Sequence, residues 1–231
     1  MPQKKLASWL ISFAFSLAIL AAALVLRLNG FTPASVRDFG LLPSRLGLIQ
    51  FLFAFGPWLI LSLYWEHTAK TAAPAKSSES SASRSVHVVL TQVAILFEVI
   101  QIPAIPRFLP LNAFVLAAGL VVSLLGIALA IWARRILGKH WSGRITIKVD
   151  HELIRTGPYR LIRHPIYTGI LVLYTGTAII SGSCLALLAV AMALVAYARK
   201  IRLEEANLRT AFGPAYESYC RESKALIPWL F

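Results

Sequence analysis

Gly157-Pro158-Tyr159-Arg160-Leu161-Ile162-Arg163-His164-Pro165-Ile166-Tyr167-Thr168-Gly169 runs without a break into two apolar stretches, 166–180 and 183–198, separated by Ser181-Gly182-Ser183. A hydrocarbon core takes about 20 residues of helix to cross. Each stretch alone is short for that, and one continuous helix through both would be too long. A helical hairpin fits, its outer ends lengthened by Arg163-His164 on one side and residues 199–205 on the other. His164-Pro165 is a suitable start, because proline at the first helical position lacks only an N–H that would have no partner there.

Outward from the hairpin, the rest of the chain reads as membrane-embedded helix. Of 231 residues, 58% are apolar and only 14% are charged, where a soluble domain carries about a quarter charged residues. Mean hydropathy is +0.69. Apolar runs at 6–26, 46–64 (with Pro57 inside as an expected kink), from 86 onward, and 111–133 supply four more spans. The expected fold is therefore all-α: a polytopic integral membrane helical bundle of about six transmembrane segments, the last two paired. Gly119 and Gly126, seven apart on one face, predict a close helix-packing seam.

Three regions follow: N-terminal transmembrane helices over 1–65, a polar linker over 66–85, and a core over 86–231. The linker is rich in Ser, Ala, Lys and Thr and is expected to be disordered. The net charge of +13 does not point to nucleic acid, because no basic segment stands apart from a span. With six crossings, 19 of the 23 Lys and Arg residues fall on one side, leaving Arg27, Arg37, Arg45 and Arg107 on the other. The positive-inside bias places both termini in the cytoplasm, and the expected location is a bacterial inner membrane. Cys184 and Cys220 form no CxxC pattern, so neither a metal site nor a disulfide is expected.

Polar groups concentrate at the hairpin's open end. His164, Tyr167 and Thr168 share one helix face, and Tyr159, Arg160 and Arg163 precede them in a loop opened by Gly157-Pro158. Such residues also serve as interfacial anchors. Opposite them stands Arg199-Lys200-Ile201-Arg202-Leu203-Glu204-Glu205. Its carboxylates are unexpected at a helix exit, where cations are favoured. They read equally as surface pairs with Lys200 and Arg202 or as groups turned toward His164 and Tyr167. Glu98, with Gln92 and Gln101 nearby, is either a site residue or a bundle-facing polar contact.

The order of His151-Glu152-Leu153-Ile154, Gly157-Pro158-Tyr159-Arg160, Arg163-His164-Pro165-Ile166-Tyr167-Thr168-Gly169, the hairpin, Glu204-Glu205, Leu208, Phe212-Gly213 and Tyr216 to Tyr219 resembles the isoprenylcysteine carboxyl methyltransferases and the related phospholipid methyltransferases. That resemblance covers about 141–229. It implies an S-adenosyl-L-methionine site lined by His151, Glu152, Leu153, Ile154, Tyr159, Arg163, His164, Pro165, Ile166, Tyr167 and Glu204. It implies a lipid-like or prenylated small-molecule methyl acceptor reached from the bilayer, with membrane lipids as the chain's other partners. The family's arginine for the substrate carboxylate aligns with Lys200, with Arg202 beside it. Arg144 stands where the eukaryotic enzymes carry glutamine.

The expected activity is methyl transfer to an isoprenylcysteine-type carboxylate or a lipid amine. A membrane reductase of the sterol-reductase type, using NADPH, is the alternative, since it too carries a His-Pro with a nearby Tyr. The absence of a GxGxxG loop argues against a Rossmann-type cofactor site. A transporter or scaffold ranks last, because the polar residues lie at one end and not along a path.

Overall fold

The structure, a computed structural model, describes residues 45–70, 73, 75–100, 102, 104–148 and 152–227. The expected first span at 6–26 lies outside the described residues. Six helices follow in order: α1 (Arg45–Ala69), α2 (Ser81–Val99), α3 (Ala113–Leu137), α4 (Pro165–Ser181), α5 (Cys184–Phe212) and α6 (Pro214–Glu222). Among the described residues, α1, α2, α3 and α5 are long and apolar enough to cross a membrane, and α4 is a shorter apolar helix. The protein is a multi-pass integral membrane protein of helical architecture.

The hairpin forms as its sequence predicts. Pro165 opens α4, and Gly182 closes it in the left-handed region at φ 62°. Ser183 then caps α5 through its hydroxyl, which accepts from the Leu185 N–H at 3.2 Å. Gly182 is confined to glycine twice over, since a Cβ there would also lie 2.5 Å from Arg107 Nη2 and 2.8 Å from Leu109 O. Buried Gln50 donates to the carbonyls of Ile180 and Ser181 at 2.9 and 3.0 Å, which satisfies acceptors that a helix end leaves without partners. At about 1.5 Å per residue α4 is only about 26 Å long. Helix α5, by contrast, continues well past residue 198.

Helices α3 and α4 pack backbone to backbone. A Cβ on Gly126 would fall 2.5 Å from Gly169 O, and one on Gly119 would fall 2.8 Å from Gly176 O. The seam expected from Gly119 and Gly126 thus lies within one chain, completed by Gly169 and Gly176. An aromatic core fills the space beside it: Trp58 meets Tyr174 edge-on at 4.6 Å, and Trp65 meets Trp141 at 5.9 Å. Glu98 is fully buried against this core. It faces the bundle interior.

The polar stretch 66–85 differs from its expected disorder. Helix α1 extends to Ala69, β1 (Ala75–Ser78) pairs antiparallel with β2 (Thr146–Lys148), and α2 begins at Ser81. The physical reason lies in its serines. Ser80 caps α2, accepting from the Ser83 N–H at 3.2 Å, so a residue type that reads as linker here starts a helix. The strand finds its backbone partners in the basic connection after α3, which local composition does not reveal.

Candidate functional site

Three elements converge at the end of the hairpin where polar residues collect. The connection after α3 turns through Gly138–His140 and β2, returns through the short helical turn Gly157–Arg160, and enters α4. Helix α5 passes alongside α4 and carries Glu204 and Glu205 to the start of its partner. The segment after α6 then lies beside residues 161–164: Arg163 N–H donates to Lys224 O at 2.7 Å and His164 N–H to Ala225 O at 3.0 Å. Thr168 Oγ1 donates to Leu226 O at 2.6 Å.

The two halves of the hairpin touch through their ionisable groups. Tyr167 donates its hydroxyl to Glu204 Oε2 at 2.6 Å. The His164 ring stacks on Tyr167 at 5.4 Å, nearly parallel. His164 Nε2 lies 3.3 Å from Glu205 Oε1, and its Nδ1 lies 3.9 Å from Glu204 Oε2. Arg163 Nε donates to Glu205 Oε1 at 2.8 Å. Spacing alone left open whether the carboxylates face solvent or turn inward; both turn inward.

Between these elements lies a cleft of about 840 Å3, its open mouth included. Glu152, Leu153, Ile154, Tyr159, Arg163, His164, Ile166, Tyr167 and Glu204 line it. His151 lies outside the described residues. Pro165 is fully buried at the helix start and forms no part of the lining. Lys200 is buried beside the cleft, its ammonium donating to Gly143 O at 3.2 Å and standing 5.3 Å from the Tyr167 ring centre. Arg202 is exposed and does not line the cleft. Two residues along a helix turn a side chain to the far side, so the cation beside the site is Lys200.

Sequence reasoning passed over several wall residues. His140, Trp141, Thr146, Asn207, Tyr216 and Tyr219 all face the cleft. The signal for the tyrosines was their spacing of three on a short helix, which sets both on one face. Glu205 was set beside Glu204 without a role of its own. The hydroxyls of Tyr216 and Thr146 are buried with no hydrogen-bond partner among the described residues, and both sit on the cleft wall. An unpaired buried hydroxyl carries a desolvation cost, which a polar ligand in the cleft would relieve.

The electrostatics keep the wall tyrosines neutral. Burial, aided by the Glu204 charge, pushes the Tyr159 phenol above its ordinary range. Burial also pushes Tyr219 up to about 12. Burial opposes the Arg163 charge, but the hydrogen bond and charge of Glu205 outweigh it and hold the guanidinium above its ordinary value. Arg163 is thus committed to Glu205 and to the tail carbonyls of Cys220 and Ser223.

Residues 114–215 match the profile of the phospholipid methyltransferase family. A probable protein-S-isoprenylcysteine O-methyltransferase from Oryza sativa subsp. indica is 34% identical over 122 residues, which is 51% of this chain and 63% of that protein. The cobalt-zinc-cadmium resistance protein CzcN of Cupriavidus metallidurans is 36% identical over 113 residues, 48% of this chain and 50% of its own length. The chain therefore spans less than two thirds of these relatives. The solved structure of the eukaryotic intramembrane Ras methyltransferase, isoprenylcysteine carboxyl methyltransferase, superposes with a TM-score of 0.52 at 19% identity, covering 96% of each chain. That likeness is one of fold. The profile match runs from the start of α3 into α6 and takes in the hairpin and most of the cleft, so it is this segment that is similar to the phospholipid methyltransferases.

Proposed function

We propose that the chain is an integral membrane methyltransferase that takes its methyl group from S-adenosyl-L-methionine and delivers it to a lipid-like acceptor. The acceptor is an isoprenylcysteine-type carboxylate or a lipid amine. One observation carries the reading: within the family segment, the start of α4 and the exit of α5 meet through Tyr167–Glu204 and His164–Glu205 on one wall of a cleft. The matched profile and the name of the Oryza relative support methyl transfer, and neither supports the reductase alternative.

The wall residues fit such a cofactor. It supplies an electrophilic methyl on a sulfonium, whose displacement by a carboxylate needs little proton transfer. Neutral tyrosines suit that chemistry. Glu204 keeps 30% of its side chain exposed and uses one oxygen on Tyr167, so its carboxylate receives the ammonium of the amino-acid end. Arg144, on the opposite stretch of lining, takes the carboxylate in place of the committed Arg163. Trp141, Leu153, Ile154 and Tyr159 offer flat and apolar surface to adenine, and the unpaired Tyr216 and Thr146 hydroxyls suit its polar edge or the ribose. Lys200, buried beside Tyr167, orients an anionic acceptor. Catalysis then rests on alignment and exclusion of water. The positive-inside bias puts this cleft on the cytoplasmic side.

The test is transfer of tritiated methyl from S-adenosyl-L-methionine, by membranes containing the full chain, to N-acetyl-S-farnesylcysteine and in parallel to phosphatidylethanolamine. Label in the organic phase that is released as methanol by base marks a carboxyl ester, and base-stable label marks an amine. No transfer to either acceptor, from membranes in which the chain is inserted, would count against the proposal.

A further inference from the structure

The connection between α1 and α2 touches the cleft wall from outside, and Glu79 is its contact point. Glu79 N–H donates to Ile145 O at 3.0 Å, and Ile145 N–H donates back to Glu79 Oε1 at 3.3 Å. The other carboxylate oxygen accepts from Ser83 Oγ at 3.0 Å. Ser83 is in turn held by Arg199 of α5, whose Nη2 reaches Ser83 Oγ at 3.0 Å and Nη1 reaches Ser83 O at 3.3 Å. One residue further along α5, Lys200 holds Gly143 O. The stretch 143–146 is thus fixed from two directions, and Arg144, Ile145 and Thr146 of that stretch line the cleft.

We propose that Glu79 is a positioning residue for the cofactor site, a two-point clamp that sets Arg144, Ile145 and Thr146 against the exit of α5. The inference rests on the methyltransferase reading for the identity of the ligand, but the clamp is a property of the chain itself. Both backbone groups of Ile145 are engaged by one residue, so the wall has a fixed height over the cleft. The Glu79 charge also lies within reach of Arg84 and Lys200, and Arg84 within reach of Arg144. Without the carboxylate these cations would face one another across the mouth, and the wall would be pushed outward as well as released.

The test is Glu79→Ala and Glu79→Gln in the full chain, purified in detergent. S-adenosyl-L-methionine binding is measured by calorimetry, and amide hydrogen exchange is measured without ligand. Glu79→Ala weakens cofactor binding about tenfold, as expected for a lost positioning hydrogen bond, while kcat at saturating cofactor changes less than about twofold. Glu79→Gln, which can still accept from the Ile145 N–H, recovers most of the affinity. Exchange in 143–148 speeds in the alanine variant while 166–180 keeps its protection. Unchanged affinity and unchanged exchange in Glu79→Ala overturn the clamp, and so does an equal loss of kcat, affinity and protection throughout. If the wild-type chain binds no S-adenosyl-L-methionine, the cofactor reading fails, and the ligand-free exchange still decides the clamp. Should Glu79→Ala not purify, Ser83→Ala removes the carboxylate's second anchor and carries the same measurements.

Discussion

On α5, Glu204 accepts the Tyr167 hydroxyl and stays partly exposed to the cleft, whereas its neighbour Glu205 is only 10% exposed and is gripped by Arg163, His164 and Arg209. The two carboxylates therefore predict opposite mutant behaviour. Glu204→Ala weakens S-adenosyl-L-methionine binding by more than about tenfold with the thermal midpoint nearly unchanged, because it removes a ligand contact. Glu205→Ala lowers the midpoint by several degrees, since it strands a half-buried guanidinium at a cost on the order of 3 kcal/mol. Calorimetry and a detergent-phase melt on both variants check this; equal behaviour would remove the division of roles. Spacing left open whether either carboxylate turns toward His164, and the resemblance implied Glu204; in the structure Glu205 lies against His164 and Glu204 accepts from Tyr167. That choice depends on the rotation of α5 about its axis, which packing against α4 decides. For the same reason Arg202 reads as a neighbour of the site until the helix is seen to turn it outward.

At the scale of elements, the α3–α4 seam carries the bundle. Four glycines let two helices approach until a single added methyl would meet backbone. Gly126→Ala should destabilise the chain by about 1–3 kcal/mol or more, as overpacking does. Gly56→Ala should be neutral or slightly stabilising, because a Cβ there meets nothing within 4 Å and alanine is the better helix former by about 1 kcal/mol. Chemical denaturation in micelles compares them, and equal midpoints would show that the seam is slack. Half of this seam was legible from Gly119 and Gly126, because spacing of seven survives in any helix. The β1–β2 pair was not legible at all. Its strands lie far apart in the sequence, and serine and alanine carry no strand pattern, so only the return of the basic connection over 73–80 creates them.

The whole molecule places its polar chemistry at one end of an apolar bundle. Phe114, Leu125 and Val195 expose 81%, 62% and 64% of their surfaces, as expected of side chains that face lipid tails. On the proposed function, a water-soluble charged cofactor and a membrane-held acceptor would meet at this polar end of the bundle. Hydropathy made the belt and the described spans legible. The cleft came from three segments folding over one another, and its shape is a tertiary property. The proposed chemistry requires that this enclosure hold a charged nucleoside. Calorimetric titration of the purified full chain with S-adenosyl-L-methionine, and separately with NADPH, measures that directly. The prediction is saturable S-adenosyl-L-methionine binding with one site per chain and no heat from NADPH; silence toward S-adenosyl-L-methionine, or saturable binding of NADPH in its place, would contradict it.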